Sequence, residues 1–168
     1  MATGKARPKR PRVRPQKPRT RAGKVLDVDI ELEVRVRAPP ERIFDALATA
    51  AGLDGWFTTG TTLDPRPGGA MVWRWKDWAL TKGETSARAK VLEWRRPERF
   101  TIRWEAADDL WTHVTMDFDA IPEGTLVRLR ETGFPDTPRG RRVIVRTAGG
   151  WGEALALAKV HVEHGVRY

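Results

Sequence analysis

The fold is decided by residues 28–47, VDIELEVRVRAPPERIFDAL. Its first nine residues alternate between apolar and charged side chains, the period of a β-strand with one buried and one wet face. Pro39 and Pro40 end the strand, and Glu41 then suits the positive end of a helix. The sequence therefore predicts a strand followed by a helix over residues 41–49. The helix residues expected to face inward are Ile43, Phe44 and Leu47.

A run of further strands is predicted downstream, after a short second helix or turn at residues 52–57. The same period-two alternation recurs between turns marked by Gly, Pro or Asp. Closely spaced strands joined by short turns favour an antiparallel meander. The alternating segments are residues 71–75, 87–91, 100–104, 114–118 and 125–131.

The C-terminal segment changes period from about residue 139. An apolar stripe with helical spacing predicts one long helix that ends near Gly165. The pair Gly149–Gly150 either weakens this helix near its middle or marks its start. Because a sheet with one apolar face must be covered, we expect the helix to lie across the concave face. The stripe consists of Trp151, Leu155, Ala158 and Val162.

The charge of the chain is concentrated at its N-terminus. The 168 residues carry 31 Lys+Arg against 22 Asp+Glu, a formal net charge of +9. Residues 1–24 hold ten of the basic residues, four prolines and no acid, which leaves 21 basic and 22 acidic residues in the remainder. We therefore expect a disordered basic tail at residues 1–24 and one nearly neutral domain at residues 25–168.

The composition also excludes several classes of protein. With no cysteine, the chain cannot form disulfides, thiolate zinc sites, iron–sulfur clusters or a thiol nucleophile. No stretch approaches ~18 consecutive apolar residues, so membrane insertion is not expected. The basic N-terminus is not followed by an apolar segment, which argues against a secretory signal. A cytoplasmic location is the expectation.

Several motifs together resemble one family. They are APPERIFDAL at residues 38–47, LDGWF at 53–57, DPRPGG at 64–69, VLE and PERF before Trp104, ETGF at 131–134 and GW at 150–151. In order and spacing they resemble the START-like (SRPBCC) helix-grip superfamily, in its branch homologous to the activator of the heat-shock-protein-90 ATPase, over about residues 27–165.

The resemblance implies an α+β helix-grip fold. Such a fold has a curved antiparallel sheet of six to seven strands around a long C-terminal helix, with two short helices after strand 1. It further implies a cavity between sheet and helix that takes apolar or amphipathic small molecules. The co-chaperone activity is not expected here, because eukaryotic activators place this domain after a separate chaperone-binding domain and residues 1–24 are too short to be one.

Aromatic residues of inward phase are the candidate cavity lining, together with small residues that leave room beside indole rings. Trp56, Phe57 and Trp151 are expected near the mouth of the cavity. Ordinary core packing is the alternative for each residue. The predicted ligand-binding residues are Trp56, Phe57, Trp73, Trp75, Ala87, Ala89, Phe100, Trp104, Met116, Phe118, Leu129, Glu131, Trp151 and Leu155.

Polar residues near the same face carry the enzyme alternative. Glu131 has inward phase and is the first candidate for a catalytic acid or base, in a cyclase or hydrolase that uses a cavity carboxylate, and Asp77 and His113 are the other candidates. The favoured interpretation instead places Glu131 at the sheet edge, paired with Arg103 or Arg128. We expect His113 to face outward, and Asp77 with Trp78 to form a hairpin loop beside the cavity.

Metal and cofactor chemistry has little support. His161 and His164 lie one helical turn apart, but without a third inward ligand. Ser86 is the single serine, so a serine-based triad is not expected. We expect no metal, no cofactor and a noncatalytic protein that binds a hydrophobic or amphipathic, lipid- or polyketide-like small molecule. The oligomeric state is expected to be a monomer or a homodimer.

The basic tail supports a third hypothesis. Ten cations without an aromatic residue could bind nucleic acid or an acidic partner only nonspecifically, through counterion release. An incidental extension without function is the favoured alternative. The residues that would carry the contact are Lys5, Arg7, Lys9, Arg10, Arg12 and Arg14.

Overall fold

The structure is a computed structural model that describes residues 23–77 and 82–168. Within them, three helices and seven strands follow one another in the predicted order of strand, helix pair, strands and long helix. They are β1 (Ile30–Val36), α1 (Pro40–Ala48), α2 (Ala50–Asp54), β2 (Thr62–Leu63), β3 (Ala70–Lys76), β4 (Glu84–Arg95), β5 (Arg99–Ala107), β6 (Leu110–Ile121), β7 (Gly124–Thr132) and α3 (Pro138–His164).

All neighbouring strands are antiparallel, in the sheet order β1-β7-β6-β5-β4-β3-β2. Strands β2 to β7 form a meander, and β1 closes the far edge by pairing with β7. The register sets Glu131 between Ile30 on one neighbouring strand and Val114 on the other. The two-residue strand β2 was not predicted, because two residues are too few to show a period.

Helix α1 packs its predicted inward residues into the core, where Ile43 and Phe44 are fully buried. The indole N–H groups of Trp56 and Trp94 donate to the carbonyl oxygens of Ala46 and Ala48, at 3.1 and 2.8 Å. These carbonyls belong to the last turn of α1, which leaves C=O groups without partners inside the helix. Trp94, on β4, therefore fixes α1 on the sheet, and Trp56, just after α2, fixes the end of the helix pair against α1.

Helix α3 begins one residue after Thr137, whose hydroxyl accepts a hydrogen bond from the N–H of Gly140. It continues through Gly149 and Gly150 without a break, so the alternative that these glycines start the helix is wrong. It ends at Gly165, as predicted, in the left-handed conformation with φ of 73°.

The predicted apolar stripe of α3 meets the inner face of the molecule. Leu155, Ala158 and Val162 are buried, and Trp151 is half-buried. The C-terminal half of α3 is tied to the start of the domain, since Arg42 donates to the Val162 carbonyl at 3.0 Å. The α+β helix-grip architecture expected from the sequence is thus confirmed.

Three local predictions can be compared with the structure. His113 is exposed, as expected from its phase on β6. Asp77 lies in the β3–β4 hairpin, where its carboxylate accepts from the N–H of Gly83 at 2.9 Å. Trp78 and residues 1–22 of the predicted tail lie outside the described residues. No helix in residues 23–77 and 82–168 is long and apolar enough to cross a bilayer.

Candidate ligand-binding cavity

A cavity of about 500 Å³ lies between the inner face of the sheet and α3. Its walls come from α1, the segment after α2, strands β3 to β6 and the middle of α3. Ligand sites of proteins commonly measure ~300–1,000 Å³ and are mostly apolar. Eight of the predicted ligand-binding residues line it: Trp56, Phe57, Trp73, Trp75, Ala87, Trp104, Met116 and Trp151.

Six aromatic side chains of this lining form one continuous series of ring contacts, which we call the aromatic wall. Its members, in order of contact, are Trp56, Phe57, Trp75, Trp73, Trp104 and Trp151. Ring centroids along the series are 4.8, 5.5, 6.4, 5.9 and 5.4 Å apart. These spacings lie within the range of favourable aromatic pairs. The wall therefore runs from the helix pair across the sheet to α3.

Small residues keep the space beside these rings open. Ala87 on β4 pairs in register with Trp73 on β3, and both line the cavity. Gly150 lines it from α3, and a Cβ placed there would meet no atom within 4 Å. The volume of the cavity thus depends on the small size of these two residues.

Glu131 is fully buried behind the aromatic wall. Its Oε1 accepts hydrogen bonds from the indole of Trp104 at 2.8 Å and the hydroxyl of Thr112 at 2.6 Å. Its Oε2 accepts from the indole of Trp151 at 2.7 Å. One carboxyl group on β7 therefore holds an indole from the sheet and an indole from α3.

The predicted arginine pairing of Glu131 is wrong. Arg128 instead pairs with Glu33 and Asp119, and Arg103 lies over the ring of Trp111 at 5.6 Å. Both arginines have the opposite phase on their strands, so they point away from the inner face. Glu131 lies in the interior between neighbouring strands, since β1 covers β7.

Burial raises the pKa of Glu131 above its ordinary value, because it removes the carboxylate from water. The hydrogen bonds from Thr112, Trp104 and Trp151 oppose this shift and lower the pKa by a smaller amount. All three donors are uncharged, so none balances a negative charge. Thr112 was not predicted as a partner of Glu131. The available signal was its phase on β6, because Thr112 points to the same inner face as Val114.

Trp75 differs from the other indoles of the wall. Its ring is half-buried, but its N–H is buried and has no hydrogen-bond acceptor among the described residues. A buried donor without an acceptor costs roughly 1–3 kcal/mol of folding free energy. The N–H of Trp75 is therefore a buried donor without a partner among the described residues, and it does not face the open space of the cavity.

The other predicted ligand-binding residues do not line the cavity. Leu129, Phe100 and Leu155 belong to the packed core, as do Ala89 and Phe118. The expected position of Trp56 near the mouth is also wrong. Its side chain is 1% exposed, because its N–H donates into α1 and its ring stacks on Phe57.

Four charged residues in the lining of the cavity were not predicted from the sequence. They are Glu105, Asp108, Arg146 and Glu153. The Glu105 carboxylate is engaged by Arg88 at 2.8 and 2.9 Å, which holds the pKa of Glu105 below its ordinary value. Nothing in their spacing marks them, because they meet only where the β5–β6 turn approaches α3.

The two C-terminal histidines are separate in the structure. His161 stacks on the ring of Trp56 with centroids 6.2 Å apart, and its Nδ1 lies 2.7 Å from the carbonyl oxygen of Val166. His164 is exposed. Among residues 23–77 and 82–168, no three His, Asp or Glu side chains are grouped so that they could hold a metal ion.

Solved structures share this fold at low sequence identity. Protein MLL2253 of Mesorhizobium loti is 23% identical and superposes with a TM-score of 0.65, over 79% of this chain and 94% of that one. The Aha1 dimer of Colwellia psychrerythraea is 20% identical, with a TM-score of 0.66 over 82% and 98% of the two chains. DynU16, from the dynemicin biosynthetic locus, is 16% identical, with a TM-score of 0.70 over 85% and 51%.

Sequence comparison gives the family. No curated protein sequence matches the chain. The sequence profile of the family described as "Activator of Hsp90 ATPase homolog 1-like protein" matches residues 37–163, which include α1, α2, strands β2 to β7 and nearly all of α3. The chain therefore belongs to the activator of Hsp90 ATPase homolog 1-like family of the START-like superfamily.

Proposed function

We propose that this protein binds an amphipathic small molecule of lipid or polyketide type in the cavity between the sheet and α3, without transforming it chemically. The observation that carries the proposal is the aromatic wall around about 500 Å³ of space. A fully packed interior would cover all six rings with neighbouring side chains, whereas four of them stay half-buried here.

The half-buried rings supply the binding free energy. Phe57, Trp75, Trp104 and Trp151 each keep part of their surface uncovered although they face the interior. Covering each 100 Å² of such surface contributes about 2.5 kcal/mol, at ~25 cal/mol per Å². Because the sheet, α3 and Glu131 already hold the rings in place, little ordering cost opposes that gain.

The polar part of the ligand can meet hydroxyl groups of the cavity lining, which includes Thr85 and Thr147. A threonine hydroxyl can donate to a carbonyl or hydroxyl oxygen on the ligand. DynU16, a putative protein in the dynemicin biosynthetic locus, has the same fold, which agrees with small-molecule binding in general. The apolar rings and the threonines of the lining favour a ligand with apolar rings or chains and a few oxygens.

A noncatalytic role is supported by the position of Glu131. Its carboxyl group lies outside the cavity lining, and both oxygens already accept hydrogen bonds from protein groups. An acid or base catalyst must reach the proton that it transfers, within hydrogen-bond distance or through one water. Glu131 therefore serves to position Trp104 and Trp151 rather than to react.

Titration of the full chain with phenylnaphthylamine tests the proposal. This neutral apolar probe fluoresces when it leaves water, and its binding quenches nearby tryptophans. We expect saturable binding with one probe per chain, reversed by fatty alcohols and by polyketide-like aromatic compounds. Absence of binding up to the solubility limit of the probe would contradict the proposal, as would turnover of a bound competitor.

A further inference from the structure

We propose that the ligand carries an anionic group, and that Arg139, Arg142 and Arg146 hold this group beside the aromatic cavity. The inference rests on the proposed function and names the charge of the molecule that the cavity takes. A carboxylate or a phosphate monoester at the end of an apolar body fits the arrangement.

The three arginines surround a second space of about 410 Å³. The remaining residues around it are Ala107, Asp108 and Val143. Ala107, Asp108 and Arg146 also line the aromatic cavity, so the two spaces adjoin along these residues. One molecule can therefore occupy the aromatic cavity and reach the arginines with its end.

The spacing of the arginines explains why they meet. Arg139, Arg142 and Arg146 lie at i, i+3 and i+7 of α3, which places them on one side of the helix. Val143 lies between them and is buried, whereas the three arginine side chains are exposed, so the guanidinium groups stand at the rim of the space and can be reached from solvent. The β5–β6 turn borders the space on the other side, with Ala107 and Asp108.

These guanidinium groups have unused hydrogen-bonding capacity. None of the three forms an ion pair with a carboxylate of the described residues, whereas Arg88, Arg130 and the neighbouring Arg141 each do. One amino group of Arg139 donates to the carbonyl of Asp108, and one of Arg146 to the carbonyl of Ala106. A guanidinium has five N–H donors, so most of those on these residues are free to bind an anion.

The charges around the two spaces are unequal. Three arginines and one carboxylate, Asp108, surround the second space and leave it with a net positive charge. At the opening of the aromatic cavity, the carboxylate of Glu105 is taken by Arg88, while Glu153 has no ion-pair partner among the described residues. An anionic group is therefore attracted to the arginines, and Glu153 disfavours the reversed orientation.

A matched pair of probes tests the inference on the full chain. Phenylnaphthylamine is neutral, and anilinonaphthalene sulfonate has the same apolar body with one negative charge. We expect the sulfonate to bind about tenfold more tightly than the neutral probe, since a charge-assisted hydrogen bond contributes on that order. The double variant Arg139→Gln, Arg142→Gln changes two residues that line only the second space, so it should lose most of this preference and keep its affinity for the neutral probe within about twofold.

Arg141→Gln is the control variant. It removes one positive charge from the same part of α3, but Arg141 pairs with Asp136 and lines neither space. We expect it to keep the preference for the sulfonate. Sulfonate bound by the cations of residues 1–24 would persist equally in all variants, so the difference between the double variant and the control reports Arg139 and Arg142.

The outcomes separate this inference from the proposed function. If the neutral probe fails to bind, both are overturned. If the neutral probe binds as tightly as the sulfonate, or if the double variant weakens the binding of both probes equally, only the inference is overturned. Displacement of the neutral probe by decanoate and decyl phosphate, but not by inorganic phosphate, supports one amphiphile spanning both spaces. Inorganic phosphate binding as tightly as decyl phosphate would overturn it, because the arginines would then be a separate anion site.

Discussion

Trp151 on α3 donates its indole N–H to Oε2 of Glu131 on β7, at 2.7 Å. This bond joins the helix to the sheet across the back of the cavity, and the other oxygen of the same carboxyl group holds Trp104. Two members of the aromatic wall thus depend on one buried side chain. The shape of the cavity is set by a polar contact as well as by apolar packing.

Glu131→Gln should destabilise the fold by roughly 1–3 kcal/mol. The amide keeps the size of the side chain but supplies only one acceptor oxygen, whereas three donors surround the carboxyl group. Whichever way the amide turns, its N–H₂ group faces at least one indole or hydroxyl donor. Urea unfolding followed by tryptophan fluorescence measures the change.

The exposed Glu153 on α3 provides the control for that experiment. Glu153→Gln should change the free energy of unfolding by less than about 0.5 kcal/mol, as surface substitutions generally do. Equal effects of the two substitutions would show that the three hydrogen bonds to Glu131 contribute nothing specific.

The stability of the chain should depend on pH through Glu131. Burial raises the pKa of Glu131 in the folded chain above its ordinary value of 4.5, so the folded state retains the proton more tightly than the unfolded state. The resulting contribution of Glu131 to the free energy of unfolding is fully present below pH 4.5, the ordinary pKa, and is lost as pH rises through the folded-state pKa. Relative to Glu131→Gln, the wild-type chain should therefore lose stability across this window.

The comparison with Glu131→Gln is needed because other carboxyl groups act in the opposite direction. The pKa values of Glu105 and Asp136 are lowered, chiefly by hydrogen bonds from Arg88 and Arg141. The contribution of such groups to the stability of the fold is lost as pH falls. These contributions are common to both proteins and cancel in the difference. A difference that stays constant from pH 4 to pH 8 would contradict the prediction.

Gly150→Leu should close the cavity. Because a Cβ at this position meets no atom within 4 Å and the residue lines the cavity, the variant should fold well. Its affinity for the neutral probe should fall by about tenfold or more. Gly149→Leu is the matched control, since a Cβ there also meets nothing within 4 Å but the residue does not line the cavity. Both changes replace a helical glycine and should raise stability by about 0.8 kcal/mol. Equal probe affinity in the two variants would place the binding site elsewhere.

Two half-buried tryptophans should respond differently to replacement by phenylalanine. Trp94→Phe removes the hydrogen bond to the Ala48 carbonyl and should cost roughly 1–3 kcal/mol of unfolding free energy. Trp75→Phe removes a buried donor that has no acceptor in the part of the chain that the structure describes, which offsets the loss of ring contacts. We expect Trp75→Phe to be the milder change in thermal and urea unfolding. The reverse order would show that Trp75 makes a bond within the folded chain.

Deletion of residues 1–24 should leave the affinity for the neutral probe unchanged within about twofold, because the cavity is built from later residues. Binding of the full chain to DNA, if its ten tail cations all contact phosphates, should weaken with salt at a slope of about −9 on logarithmic axes. The deletion should abolish that binding. DNA binding that survives the deletion would assign it to the domain and contradict the expectation for the tail.

Much of the fold was predictable because local periods report which side of an element is buried. The alternation of residues 28–36 and the stripe of α3 each follow from burial of one face, so they are visible without any partner. The same rule gave the phase of Trp73, Trp75 and Trp104. It could not separate residues that line a cavity from residues that fill the core, since both point inward.

The environment of Glu131 was not predictable for a different reason. Its inward phase was visible in the sequence, but its partners come from β5, β6 and α3, and they meet it only through the register of the strands and the position of the helix. Sequence reasoning chose an arginine as partner because a lone buried carboxylate is costly. The actual partners are neutral hydrogen-bond donors, which cannot be recognised from the charges in the sequence.

The sequence by itself determined the order of the elements, the inward phase of the aromatic residues and the concentration of basic residues in residues 1–24. Each of these is a property of neighbours along the chain. The tertiary structure alone decided which inward residues line a cavity, that one carboxyl group joins Trp104 to Trp151, and that three arginines of α3 adjoin the cavity. Those relations depend on distances between elements far apart in the chain, which packing sets and local composition does not record.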